Sequence, residues 1–149
     1  MIGTRQYPLD GRQITRTFTV EVAAAASANT QYRLGRIPTT AAIIGGLSKI
    51  YWDDLASTGS PTIDVGLKAV NANVTTDVDA LNDGLDVATA AGSASLIKDI
   101  ANYGKQAWEF VAGVTADPGG ELDLIVTILD AATNTGGTVT VELTIQTDL

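Results

Sequence analysis

Two stretches decide the fold: Leu122–Leu129 (LDLIVTIL) and Thr138–Gln146 (TVTVELTIQ). In the second, Val139, Val141, Leu143 and Ile145 alternate with Thr138, Thr140, Glu142, Thr144 and Gln146. Period-two alternation is the mark of a β-strand with one buried and one wet face. The first stretch repeats it, with Leu122, Leu124, Val126 and Ile128 on the core face. Its other face carries Ile125 and Leu129 and is only half polar, so part of it must be covered. Between the two strands, Asn134, Gly136 and Gly137 supply turn chemistry, and the pair reads as a hairpin across Asp130–Gly137. A lone hairpin is not stable in water, so the rest of the chain must supply a second sheet.

Outward from this pair, the same pattern recurs. From Ile14, residues Phe18, Val20 and Val22 alternate with Thr17, Thr19 and Glu21, and an Ala-rich turn follows. Tyr32, Leu34 and Arg36 share one face of a second strand that Pro38 ends. Ala41–Trp52 is a long apolar run whose Gly45-Gly46 marks a bulge or a close backbone approach. Thr62–Val70 is a strand with Ile63, Val65, Leu67 and Ala69 inward. Thr76–Leu81 reads as one helical turn, and Leu85–Val87 as a short strand. Ser95–Tyr103, with Leu96, Ile97 and Ile100 at helical spacing, reads as a short helix or an irregular crossover. Lys105–Ala112 reads as a strand with Trp108 and Phe110 on one face. Residues 1–13 have no periodicity and read as an extended arm, leaving 14–149 as a single domain. The sum is an all-β fold: an antiparallel β-sandwich of about eight strands, of jelly-roll type.

Composition narrows the chemistry. The chain of 149 residues has no cysteine and no histidine. Thiolate chemistry is therefore absent, as are the commonest general base and the commonest transition-metal ligand. No apolar run has the length of a membrane helix, and residues 1–5 lack the apolar segment of a signal peptide. The net charge of −8 is uneven. Residues 1–36 carry Arg5, Arg12, Arg16, Arg33 and Arg36 against Asp10 and Glu21, whereas the remainder holds four lysines against fifteen acids. Such a body repels nucleic acid, while the basic start suits an acidic partner surface.

Three constellations have chemistry to offer. Asp77, Asp79, Asp83 and Asp86 are hard oxygen ligands suited to Ca²⁺, but they lack the EF-hand order and its closing glutamate, and read better as a solvated acidic loop. Asp64 and Asp123 could pair as glycosidase carboxylates, though both sit on outward strand positions. Tyr51, Trp52, Tyr103 and Trp108 could stack on a sugar, or serve as core and interface residues. No phosphate loop, dinucleotide turn or nucleophile elbow is present. The expectation is a protein without enzymatic activity, cofactor or metal.

The order and texture of residues 14–147 resemble the decoration, or cement, proteins of tailed bacteriophage capsids. The resemblance rests on the Thr-rich opening strand and Ala-rich turn (Phe18–Asn29), the Ile-Pro strand end leading to Ile43-Ile44-Gly45-Gly46, and Thr62-Ile63-Asp64-Val65-Gly66. It continues through Asp79–Asp86, Ala90-Ala91-Gly92 and the closing pair of strands. It implies a virion protein on the outer capsid surface, made in the host cytoplasm, usually trimeric, that clamps neighbouring major capsid subunits. It implies no nucleic acid or membrane partner. On this reading Arg5, Tyr7 and Arg12 of the arm reach the capsid, and Ile125 and Leu129 meet a sister subunit. A phage tail or head-fibre component and a carbohydrate-binding β-sandwich module are the alternatives.

Overall fold

The computed structural model describes residues 12–70 and 75–147. Among these residues nine strands form two antiparallel sheets. They are β1 (Arg12–Val22), β2 (Gln31–Pro38), β3 (Ala42–Ile43), β4 (Lys49–Trp52), β5 (Thr62–Ala69), β6 (Asp77–Asp86), β7 (Gly92–Ser95), β8 (Glu121–Leu129) and β9 (Gly137–Thr147). The five-stranded sheet runs β1-β9-β4-β7, with β3 also on β9; the four-stranded sheet runs β2-β8-β5-β6. Four of these pairings are nested: β1 with β9, β2 with β8, β4 with β7, and β5 with β6. The chain is thus one long antiparallel ribbon, closed at the β5–β6 end and rolled up. Contacts β4–β9 and β5–β8 seal the roll. That is the jelly roll the alternation predicts.

The two deciding strands are both present, but they are not a hairpin. β8 pairs with β2 and β5, and β9 pairs with β1, β3 and β4. They belong to opposite sheets, and Asp130–Gly136 carries the chain from one sheet to the other. Each sends its apolar set into the shared core. Leu122, Leu124, Val126 and Ile128 meet Val139, Val141, Leu143 and Ile145, all at most 1% exposed.

Glycine and aromatic side chains fit together at three places. A Cβ on Gly35 would lie 2.4 Å from the Phe18 ring, on Gly45 2.3 Å from Tyr103, and on Gly92 2.8 Å from Trp52. Gly45-Gly46 therefore marks a close approach, as expected, but in a 3-10 turn (Gly45–Leu47) rather than a bulge. The bulge lies in β2, where the register with β8 shifts between Arg33 and Gly35. It reverses the face of every residue after it. Arg36 is opposite Asp123 on the outer side, not beside Tyr32, and Ile37 is fully buried.

Three further expectations are corrected. Thr76–Leu81 is not a helical turn, because Asp77–Asp86 forms a ten-residue strand along β5. Lys105–Ala112 is not a strand. Ala107–Phe110 is a 3-10 turn fixed by a capping box, in which the Gln106 N–H donates to Glu109 Oε2 at 2.7 Å. The arm boundary also moves: Arg12 and Gln13 already pair with Thr147 and Gln146 in β1. Arg5 and Tyr7 lie outside the described residues. The Ser95–Tyr103 segment is a crossover holding one 3-10 turn at Ile100–Asn102, in which Asp99 accepts from the Ala101 N–H.

Candidate interaction surface

No concave site is available among the described residues. Asp64 and Asp123 stand at register levels Thr127 and Asp123 on neighbouring strands. Four residues at ~3.4 Å each, and the ~4.8 Å step between strands, put them roughly 14 Å apart, beyond the ~5–10 Å that glycosidase carboxylates span. Asp123 is occupied by Arg36, whose Nε donates to it at 2.7 Å and whose protonated form it stabilises. The acidic residues of β6 do not form one cluster, although Asp77 and Asp79 adjoin: burial raises the Asp77 pKa, and Asp79 raises it further. Asp83 pairs with Lys98 at 3.0 Å. Asp86 accepts from Ala88 N–H and the Thr89 hydroxyl. Asp77 accepts from Ala112 N–H. Among the described residues no three carboxylates converge on a metal position. The four aromatics do not form one platform, because the tryptophans lie apart from Tyr51 and Tyr103. Trp52 faces inward onto Gly92 and donates to Ala90 O, whereas neighbouring Tyr51 faces outward. Trp108 donates to its own turn through Gln106 Oε1.

Ile125 is 2% exposed in the single chain, so its cover is intramolecular. It lies in register between Arg33 and Gly66 on the outer face of the four-stranded sheet. Lys68 and Gln31, from the strands either side of β8, meet across it at 3.3 Å. On the other flank the β6 backbone folds over Gly66, where a Cβ would lie 2.2 Å from Asp77 O. That burial requires no sister subunit. Leu129 at the strand end is half-buried, and Arg12 is exposed at the start of β1.

The free surface lies on the opposite side, on the outer face of the five-stranded sheet. Here β1 and β9 oppose Thr15 to Thr144, Thr17 to Glu142 and Thr19 to Thr140. The Thr15–Thr144 and Thr19–Thr140 hydroxyls are hydrogen-bonded to each other, each at 2.9 Å. Further across, Tyr51 donates to Glu142 at 3.0 Å, which holds the phenol proton more tightly than usual. Ser93 and Ser95 of β7 lie in register with Tyr51 and Lys49. At the β4–β7 side the Tyr103 hydroxyl reaches Ser95 Oγ at 3.1 Å while its ring covers Gly45. Leu47, 57% exposed, and Ile100, 76% exposed, sit on the two adjoining 3-10 turns. Of the five large apolar side chains exposed among the described residues, Tyr51 and Tyr103 reach Glu142 and Ser95 of this sheet.

The charge on this face is acidic at one end, where Asp53 accepts from the Thr138 hydroxyl beside Glu21. Its strand positions carry Glu21, Glu142 and Lys49, and six of the others are threonine. The four-stranded side, by contrast, carries Arg33, Arg36, Lys68, Asp64, Asp123 and Glu121, beside four aspartates of β6. Sequence reasoning missed this face. Leu47 lies within the long apolar run Ala41–Trp52, and Ile100 shares its helical spacing with Leu96 and Ile97, which are buried. The available signal was the repeated threonine at outward positions of β1 and β9, which reads equally well as a solvated face.

No protein-family profile and no curated protein sequence matches the chain. Among solved structures, a chain in the cyanophage Pam1 capsid asymmetric unit is similar at TM-score 0.61 and 15% identity, covering 98% of this chain and 92% of that one. A chain in the capsid of Ralstonia phage GP4 is similar at TM-score 0.65 and 16% identity, covering 99% and 91%. At these identities the likeness is one of fold, and it covers nearly all of the chain.

Proposed function

We propose that this chain is a structural protein of a phage virion, bound to the outer surface of the capsid, where it stabilises contacts between major capsid subunits. The observation that carries the reading is the end-to-end likeness to chains of two phage capsid assemblies. The residue content supports it. A chain with no histidine or cysteine, with Asp83 in an ion pair and Asp86 capping a turn, suits contact rather than turnover. The proposed partners are the major capsid protein and further copies of the chain, as a trimer. The mechanism is mechanical. Each oligomer adds contacts across a seam between capsomers, and many moderate contacts made together give an avidity that none has alone. Quantitative mass spectrometry of purified particles tests this by copy number. A ratio near one chain per major capsid subunit is expected. A handful of copies would move the protein to a tail or fibre, and absence from the particle would overturn the reading.

A further inference from the structure

We propose that Asp64 of β5 and Thr127 of β8 form a proton-operated clamp: the neutral Asp64 carboxyl donates to the Thr127 hydroxyl oxygen, and the ionised one does not. The clamp belongs to the fold of the single chain and does not depend on the virion role. Three observations carry it.

The first is an orphaned group. Thr127 is 3% exposed, and among the described residues its Oγ1 has no hydrogen-bond partner. A buried hydroxyl left unpaired costs free energy, and native structures give most of them a partner. Gln31, in register with Thr127 on one side, turns its Oε1 to Lys68 at 3.3 Å. The second is the neighbour on the other side. Asp64 is in register with Thr127 on the same outer face and is itself 5% exposed. Directly opposed residues of an antiparallel pair hold their Cβ atoms about 4.5–5.5 Å apart, so a turn about χ1 brings the two side chains together. The Asp64 Oδ1 already accepts from the Gly84 N–H at 2.8 Å. A proton on the other oxygen needs a buried acceptor, and Thr127 Oγ1 is one with no other bond to keep.

The third is the charge around the pair. Asp83 and Asp79 of β6, and Asp130 after β8, all disfavour a further negative charge at Asp64. Along β6, Asp77 accepts from the Ala112 N–H and Asp86 from the Thr89 hydroxyl. The cations of the packed elements are committed elsewhere: Lys98 to Asp83, Lys68 to Gln31, and Arg33 and Arg36 to Asp123. Burial among acids favours the neutral carboxyl, which is the form with a proton to give. The clamp therefore closes as the pH falls through the Asp64 range and opens as it rises. Its contribution to stability is complete below the unfolded value of 3.8 and is lost above the folded one.

Carboxyl-carbon NMR titration of Asp64 in the full chain tests the clamp, with wild type compared with Thr127→Val and Thr127→Ser. Valine suits the strand and removes the acceptor. Thr127→Val should lower the Asp64 midpoint by about 0.5–1 pH unit, because it takes a hydrogen bond from the neutral form alone. Thr127→Ser keeps the hydroxyl and should titrate as wild type does. In thermal melts Thr127→Val should equal or exceed wild type at pH 7 and fall a few degrees below it as the pH nears 3.8. In an Asp64→Asn background, where the amide donates at every pH, Thr127→Val should cost the same throughout. An Asp64 midpoint that stays or rises in Thr127→Val would overturn the proposal. So would a serine variant that shifts as the valine one does, because repacking and not the hydroxyl would then set the midpoint. A Thr127→Val melt that lies equally far below wild type at every pH would give the hydroxyl a partner other than Asp64, and the clamp fails.

Discussion

The balance of the fold shows first in single residues, and the aspartates divide by what surrounds each carboxylate. Asp53 accepts from both the N–H and the hydroxyl of Thr138, at 2.7 and 2.9 Å, and its pKa falls below the ordinary 3.8. Its ionised form fastens the start of β9. The stability it contributes is present above the unfolded value and is lost as the pH falls through the folded one. Asp64 is the reverse case. It is 5% exposed on the outer face of the four-stranded sheet, and burial, its largest influence, raises its pKa against the pull of the Gly84 N–H at 2.8 Å. Asp83, Asp79 and Asp130 add to the rise. With the folded pKa above the unfolded one, the neutral form favours folding. That contribution is full below 3.8 and is lost as the pH rises through the folded value. Asp64→Asn keeps an acceptor for Gly84 and carries no charge. It should melt a few degrees above wild type at pH 7, with the gap closing as the pH falls towards 3.8. A gap independent of pH, or a less stable variant at pH 7, would show that the carboxylate is not under this strain.

Between elements, the decisive fit is the passage of β6 over β5. Register jumps between Ile63 and Val65, and again between Val65 and Leu67, fold the β6 backbone onto Gly66. An alanine there would gain local strand propensity of about 0.5–1 kcal/mol over glycine. It would also set its Cβ 2.2 Å from Asp77 O and 2.3 Å from the Val78 carbonyl carbon. Backbone cannot rotate away as a side chain can, so the clash should win, and Gly66→Ala should destabilise by about 1–3 kcal/mol. Gly46→Ala, with nothing within 4 Å of its Cβ, is the control and should be neutral or slightly stabilising. Equal melting temperatures for the two variants would remove the roofing role of β6. This crossing also marks how far the sequence could be read. Alternation found β1, β5, β8 and β9 with their inward faces, because a half-buried strand writes its period locally. It could not find partners, and β8 and β9 looked like a hairpin when they are strands of opposite sheets. Residues 77–86 hid a strand because the irregular register breaks its period. The Trp108 and Phe110 alternation suggested a strand where the Gln106–Glu109 capping box makes a turn. The fits of Phe18 on Gly35 and Tyr103 on Gly45 join residues far apart in the chain and leave no local mark. The candidate face was hidden for the same reason, since Leu47 and Ile100 come from separate segments.

For the whole molecule, the roll gives its two outer faces different chemistry, and the residues before β1, in which Asp10 matches Arg5, add a third element. The residues before β1, with Arg5 and Tyr7, are the segment proposed to reach the capsid. Each copy in an oligomer brings one such segment, so even a weak contact is multiplied by the number of copies engaged. The cut that isolates this contribution follows from the strand pairing. Arg12 and Gln13 belong to the ladder with β9, so removing residues 1–13 would shorten β1, whereas removing 1–11 leaves every described pairing in place. The 1–11 deletion should therefore keep the wild-type melting temperature and sedimentation behaviour. It should still lose at least tenfold in apparent affinity for particles stripped of this protein, because Arg5 and Tyr7 are gone. A full-length Arg5→Ala/Tyr7→Ala variant should reproduce most of that loss. If the deletion binds as tightly as the full chain, the capsid contact is made by the sandwich itself, and the charged outer face of β2, β8 and β5 becomes the surface to mutate next.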